Sequence, residues 1–376
     1  MKPTAIYIHI PFCDHKCIYC DFYSIITSDN IESFLTSLKR EINYYSQLHS
    51  KERGVISVFF GGGTPSLMSP DYIKEIIELT KEKFSFASEV EITLETNPGT
   101  VDKNKLSDFR KAGINRISIG IQSFDEDDLK FLTRIHDKQT AINTVYSAVE
   151  AGFENISIDL IFNLPGQTKE KWKLNLEQAI SLPIKHISAY SLILERGTIL
   201  NKLVLDGKVQ IQDEDYDAEL YEITIDYLNE HGFIQYEVSN FAKPGYECIH
   251  NKAYWEYKDY FGFGPSAHSF INGKRWWNYS SLKRYISEVN EKQNAMMNFE
   301  ELTKEQMRNE YIMLALRSKG LNLAEYINSF GAEWLDKHSR DFEIMKNEGL
   351  VEIEHNLIKL TPKGYAICDE ILSKIL

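Results

Sequence analysis

Three cysteines, Cys13, Cys17 and Cys20, fall within the eight-residue segment CDHKCIYC. Thiolates suit iron–sulfur clusters and zinc alike. A closed structural zinc site takes four ligands, and the other two cysteines, Cys248 and Cys368, lie far off in sequence. Three cysteines on a cuboidal cluster leave one iron open to a cofactor or substrate. Spacing alone leaves both readings open, but an odd count with three crowded together is not a disulfide framework. A second chemical signal is Gly61-Gly62-Gly63-Thr64-Pro65. Consecutive glycines let the backbone approach a ligand and offer it N–H and C=O groups, although a tight turn would use the same residues.

Both segments need strands to place them. From the N-terminus to about position 205, β-rich runs alternate with amphipathic stretches, as in βα units around a parallel sheet. Six strands are expected: Ala5 to Ile10, Val55 to Phe60, Val90 to Glu95, Arg116 to Ile121, Asn155 to Ile161 and His186 to Leu192. Helical patterns such as 31–48, 71–83 and 140–151 lie between them, with glycine stops at Gly113 and Gly152. The cysteines follow the first strand directly, and the glycines end the second. Alternation sets Ile6, Ile8 and Ile10 against Tyr7 and His9; Ile92 and Leu94 against Glu91, Thr93 and Glu95; Ile117, Ile119 and Ile121 against Ser118, Gly120 and Gln122; and Ile156, Ile158 and Leu160 against Ser157 and Asp159. The isoleucine face is expected to pack on outer helices and the polar face to line a lumen. An antiparallel sheet with one wet face is the competing arrangement, and the intervening helices argue against it. Glu95, Gln122 and Asp159 then sit at the C-terminal mouth of a barrel, where such folds place their chemistry.

The expected architecture is α/β: a partial (β/α)6 barrel over 1–205, a connecting extension over 206–290, and a C-terminal α+β unit over 291–376. That last unit runs helix, β-hairpin, helix and resembles a winged helix. Its long helix, 334–347, mixes Asp336, Asp341 and Glu343 with Lys337, Arg340 and Lys346, a poor reader of phosphate. The chain's 42 basic and 55 acidic residues give a formal charge of −13, which argues against a nucleic-acid partner. The first residues, MKPTAIYIHIPFC, read as neither a signal peptide nor a membrane span, so the cytoplasm is the expected compartment.

C-x-x-x-C-x-x-C after a first strand resembles the radical S-adenosylmethionine (SAM) signature. Tyr7-Ile-His9-Ile-Pro11-Phe-Cys13, the GGGTP segment, Glu95-Thr-Asn97-Pro98-Gly99, the run from Arg116 to Phe124 and the run from Asp159 to Thr168 narrow the likeness. They resemble the group that contains oxygen-independent coproporphyrinogen III dehydrogenase and the HemW-type haem chaperones, and the likeness spans essentially the whole chain. It implies a [4Fe–4S] cluster on Cys13, Cys17 and Cys20 and SAM held by Tyr7, Tyr19, Gly62, Gly63, Thr64, Glu95, Gln122, Arg134 and Asp159. Arg134 rests on the resemblance alone; otherwise it reads as an exposed charge at a helix end.

Within that group, the dehydrogenase branch has a further cysteine two residues after the third, where this sequence has Phe22. That branch also has an extension ahead of its first strand, whereas here the strand is expected at residue 5. Both departures point toward the haem chaperones. His250-Asn251-Lys-Ala-Tyr254-Trp255 matches the H-N-x-x-Y-W word associated with haem binding in that family. Histidine is a common axial ligand to haem iron, and Tyr and Trp offer flat apolar faces with a polar edge. Without the match, a hydrogen-bonded turn histidine beside core aromatics is the plainer reading. Cys248 is an alternative thiolate ligand, and His268 is placed toward the SAM side of the pocket. Position 250 is expected outside the barrel repeat. The resemblance therefore implies haem, acceptor apo-haemoproteins and an electron donor for the cluster as partners, and it leaves peripheral membrane association and a homodimer open. The alternatives are radical decarboxylation of a porphyrinogen and a zinc-stabilised scaffold.

Overall fold

A computed structural model describes residues 1–27 and 29–376. Six parallel strands, β1 (Lys2–Ile10), β2 (Arg53–Gly62), β3 (Ser85–Thr96), β4 (Arg116–Gln122), β5 (Asn155–Phe162) and β6 (His186–Ser191), lie side by side in chain order. Every expected strand is present, and the parallel pairing removes the antiparallel alternative. Between the strands run α1 (Ile31–His49), α2 (Pro70–Lys83), α3 (Lys103–Ala112), α4 (Glu126–Phe131), α5 (Lys138–Glu150) and α6 (Lys169–Ile180).

These helices start where the sequence supplies caps. The side chains of Ser69, Asp102, Asp137 and Thr168 each accept a hydrogen bond from a first-turn backbone N–H that has no partner within the helix. Gly113, at φ 111°, ends α3 in the left-handed conformation that glycine adopts without strain. The isoleucine faces of the strands are wholly buried against Phe34, Leu38 and Ile42 of α1, Ile73 and Ile77 of α2, Phe109 of α3 and Trp172 of α6. The polar faces are left to line the lumen.

After α7 (Ile199–Leu205) and α8 (Glu214–Glu230), the extension prolongs the same sheet at both ends. Beyond β6 come β7 (Ile234–Glu237) and β8 (Asn240–Ala242). A seven-residue helix, α9 (Ile249–Trp255), follows, and then β9 (Asp259–Phe263), β10 (His268–Ile271) and β11 (Lys274–Asn278) extend the sheet beyond β1. After α10 (Leu282–Lys292), β12 (Met296–Glu301) pairs with β11. The order from β12 to β7 is linear, and the barrel is partial.

A separate core joins α11 (Lys304–Leu316), β13 (Leu321–Asn322), α12 (Leu323–Phe330), α13 (Glu333–Asn347), β14 (Val351–Glu354), β15 (Leu357–Leu360), α14 (Pro362–Ala366) and α15 (Cys368–Ile375). The single helix expected after the hairpin is two, α14 and α15, broken at Ile367. Trp334, His338, Phe342 and Met345 of α13 point into this core. Packing is thus the observed role of the helix that a nucleic-acid reader would use.

Candidate functional site

The register of β1 on β2 builds the site. His9 pairs with Gly61 and Ile10 with Gly62, so the cysteine loop and the glycine loop leave the sheet side by side. They are then laced together: Gly63 N–H donates to the Ile10 carbonyl and Thr64 N–H to the Phe12 carbonyl, both at 2.8 Å. A Cβ on Gly63 would stand 2.5 Å from the Phe12 oxygen, so no other residue fits this approach. Gly61 matters for a different reason, because a Cβ there would meet the Tyr7 ring at 2.9 Å and close the lumen.

A cavity of about 360 Å³ opens at this mouth, lined by Cys13, Cys17 and Cys20. Cys13 Sγ lies 3.2 Å from Thr64 Oγ1, and Arg134 Nη1 lies 3.6 Å from Cys17 Sγ. Among the described residues, no three His, Cys, Asp or Glu side chains gather around one point as a mononuclear site requires. Three thiols sharing a wider cavity, with glycine backbone beside them, instead form a donor set of the kind that suits a multi-iron cluster with an open iron.

Eight of the nine positions expected to hold SAM line the same cavity: Tyr19, Gly62, Gly63, Thr64, Glu95, Gln122, Arg134 and Asp159. Arg134 is not an exposed helix-end charge. Its Nη2 donates to Asn97 Oδ1 at 2.8 Å and to the Gly120 carbonyl at 2.7 Å, which aims the guanidinium at the cysteine loop. Gln122 sits at φ 72°, where β4 resumes its pairing with β5 opposite Leu160 after a register shift. Glu95 Oε2 accepts from Gly62 N–H at 3.3 Å. Burial, followed by the charge of Asp159, pushes the Glu95 carboxyl up to about 8. Burial also raises Asp159, against the pull of hydrogen bonds from Ser188 and Ser118 and of the charge on Arg116. The ninth position, Tyr7, faces elsewhere, with its hydroxyl 3.2 Å from His9 Nδ1.

Tyr7 lines a second cavity of about 500 Å³ in the lumen, which shares Asp21, Phe22, Gly62, Glu95, Asp159 and Tyr190 with the first. His250, Asn251 and Tyr254 line it too. Position 250 lies outside the βα repeat in sequence, as expected, but α9 folds back against β1, β2 and β9 on the lumenal side, so His250 shares the lumen with residues of the repeat. His250 is 2% exposed, with Nδ1 3.0 Å from Ser57 Oγ and Nε2 3.0 Å from the Tyr254 hydroxyl. Burial, and secondarily Arg116, lowers its pKa to about 3, so the ring is neutral. Trp255 lines neither cavity, and nor does Cys248. The Cys248 thiol is pushed up to about 12 by burial and donates to Glu91 Oε1 at 3.4 Å. His268 lines the second cavity and stacks on Trp277, rather than reaching the first.

Sequence reasoning missed several of these residues. Asn97 donates to Thr64 Oγ1 at 3.0 Å and anchors Arg134, and it stood in a segment already singled out. Tyr190 follows from extending the polar alternation along β6, and Arg116 from reading β4 two residues earlier. Ser57 shares the lumenal face of β2 with Phe59.

Residues 7–179 match the radical SAM superfamily, and residues 302–367 match the HemN C-terminal domain. The haem chaperone HemW of Bacillus subtilis is 34% identical over 99% of this chain and 99% of its own length. HemW of Lactococcus lactis is 32% identical over 100% of this chain and 98% of its own length. Among solved structures, coproporphyrinogen III oxidase (HemN) of Escherichia coli, described as a radical SAM enzyme, superposes with a TM-score of 0.84 at 24% identity. That match covers 100% of this chain and 90% of HemN. It shows the fold, while the sequence matches run end to end with a narrower group, and the chain belongs to the HemW family of radical SAM proteins.

Proposed function

We propose that this chain is a haem chaperone that binds haem and passes it to apo-haemoproteins. The observation that carries this reading is the end-to-end similarity to proteins named haem chaperone HemW. Phe22 supports it: the position where the dehydrogenase branch has a further cysteine holds a phenylalanine, 63% exposed beside the first cavity. On this reading Cys13, Cys17 and Cys20 hold a [4Fe–4S] cluster, and the other residues of the first cavity hold SAM. When bound, cluster and SAM supply one-electron chemistry, fed by an external electron donor.

The chain's own part is to orient and enclose. Arg134 and Thr64 fix the rim of the cysteine loop, Glu95 and Asp159 offer carboxylates to a cationic ligand, and the glycine loop offers backbone donors and acceptors. His250 is the axial haem ligand in this proposal, with Asn251 and Tyr254 beside it. Cys248 is set aside because its thiol is protonated and points at Glu91. Trp255 keeps no part at the cavity wall. The cytoplasm is the compartment assigned, and no helix among the described residues is long and apolar enough to cross a membrane.

The test is a haem titration run beside an anaerobic coproporphyrinogen assay on one reconstituted sample. A shifted, sharpened Soret band without decarboxylated product is expected. Product formation without the Soret change would replace this reading with the dehydrogenase one.

A further inference from the structure

His250 is held at both ends of its ring and on one face. Nδ1 meets Ser57 Oγ of β2 at 3.0 Å, Nε2 meets the Tyr254 hydroxyl at 3.0 Å, and the Phe59 ring stacks 4.9 Å away. The backbone N–H of His250 donates to Glu91 Oε1 at 3.1 Å, which anchors the first turn of α9 to β3. Tyr254 lies four residues on, the spacing that places one side chain over another on a helix.

A neutral imidazole has one donor nitrogen and one acceptor. Of its two hydroxyl partners, the phenol is the stronger acid and the better donor. Tyr254 therefore donates to Nε2, and Nδ1–H donates to Ser57. The lone pair that haem iron needs is the one Tyr254 occupies.

We infer that Ser57 is a positioning residue for the haem-ligating histidine and that Tyr254 is an exchangeable cap on it, which iron displaces. This rests on the reading of His250 as the axial ligand. The cap is cheap to remove. Among the described residues, the Tyr254 hydroxyl has no hydrogen-bond partner except His250, and Tyr254 lines the second cavity, so a released hydroxyl turns into space that water can fill. The ring stays braced edge-on against Tyr260 at 4.7 Å while the hydroxyl moves. Ser57 does not move, because it belongs to a central strand paired on both sides. Its hydroxyl accepts from Nδ1–H and holds the ring's orientation, as outer-shell partners of metal-ligating histidines do.

The arrangement suits a carrier. A permanent haemoprotein leaves its axial nitrogen free for iron, whereas here the empty site satisfies its own histidine. Haem binding is then weakened by the cost of uncapping, and its departure is assisted by recapping.

Haem titration of Tyr254→Phe tests the cap. Phe leaves the buried Nε2 unpaired only in the haem-free protein, so haem should bind about fivefold tighter or more, with the same ligated spectrum. The variant's melting temperature should fall without haem, and the deficit should shrink at haem saturation. Equal or weaker binding would overturn the cap and make Tyr254 a simple haem contact. Ser57→Ala should weaken haem binding and raise its midpoint potential, because the Nδ1–H bond makes the imidazole a stronger donor, and Ser57→Thr should restore both. An unchanged potential in Ser57→Ala would remove the positioning role. His250→Ala in parallel separates the layers. If it keeps the wild-type Soret band, the haem-ligation reading falls; if it loses the band while Tyr254→Phe binds no tighter, the cap alone falls.

Discussion

Glu95 is a carboxyl group held away from water beside a second one, and both circumstances favour its neutral form. Its folded value of about 8 stands above the ordinary 4.5, raised by burial and then by Asp159, and countered by Gly62 N–H and the charge of Arg116. The native state therefore keeps a proton that the unfolded chain releases, so stability from this group falls as pH rises from about 4.5 to about 8. A cationic ligand reverses the preference. On the proposed role in SAM binding, a cationic ligand would favour an ionised Glu95, and binding would expel the proton. SAM affinity should rise with pH up to about 8 and then level off, with a slope of at most about tenfold per pH unit. Calorimetry in two buffers of different ionisation enthalpy should read up to one proton released near pH 7. Glu95→Gln should abolish both the slope and the proton release; a persisting slope would move the effect to Asp159.

At the scale of elements, the loops after β1 and β2 work as one piece because their backbones are laced through Gly63 and Thr64. Gly63→Ala pushes a methyl group against a carbonyl that cannot yield without parting the strand ends. It should cost about 1 to 3 kcal/mol in a denaturation curve and lower the iron retained after reconstitution, with the cysteines intact. Full iron loading at wild-type stability would show that the loops are independent. The strands and their two faces were legible in the sequence because side chains alternate with a period of two, so Ile6, Ile8 and Ile10 against Tyr7 and His9 already separates core from lumen. The cysteine loop was legible because its three thiols are close together in sequence. α9 was not. A seven-residue helix carries too little periodicity to show a face, and its burial comes from Ser57, Phe59 and Glu91, more than 150 residues earlier in the chain. Arg134 is the same case in reverse, since Asn97 and Gly120 turn a helix-end cation inward. β12 was missed for a third reason: Met296 to Glu301 is exposed along its whole length and shows no alternation.

For the whole molecule, the two cores meet at the elements that carry α9. Glu310 of α11, in the C-terminal unit, accepts from the Tyr257 hydroxyl at 2.9 Å, just past the end of α9, and pairs with Arg275 of β11 at 2.7 Å. Lys319 reaches Glu256 at 3.0 Å from the same side. The C-terminal unit thus braces the exit of the lumenal helix, while the entrance is held by Glu91 of the barrel. Among the described residues, the cysteine loop has no hydrogen bond to the C-terminal unit: Thr64, Thr133 and Arg134 belong to the barrel, and its Tyr23 hydroxyl accepts from Leu282 N–H of α10 in the extension at 2.8 Å. Glu310→Ala removes the shared acceptor and leaves Arg275, among the described residues, with the exposed Glu300 as its remaining carboxylate partner. The residues are about three-quarters buried, so the loss should be about 1 to 2 kcal/mol, less than a fully buried pair would cost. On the proposed role of His250 as haem ligand, the two ligands should then part company: haem affinity falls because α9 and its histidine lose their brace, while SAM affinity and iron content hold. Parallel haem and SAM titrations on the variant read this directly. Equal losses for both ligands would mean that the C-terminal unit supports the barrel as a whole, and no loss of haem affinity would mean that Glu91 alone holds α9.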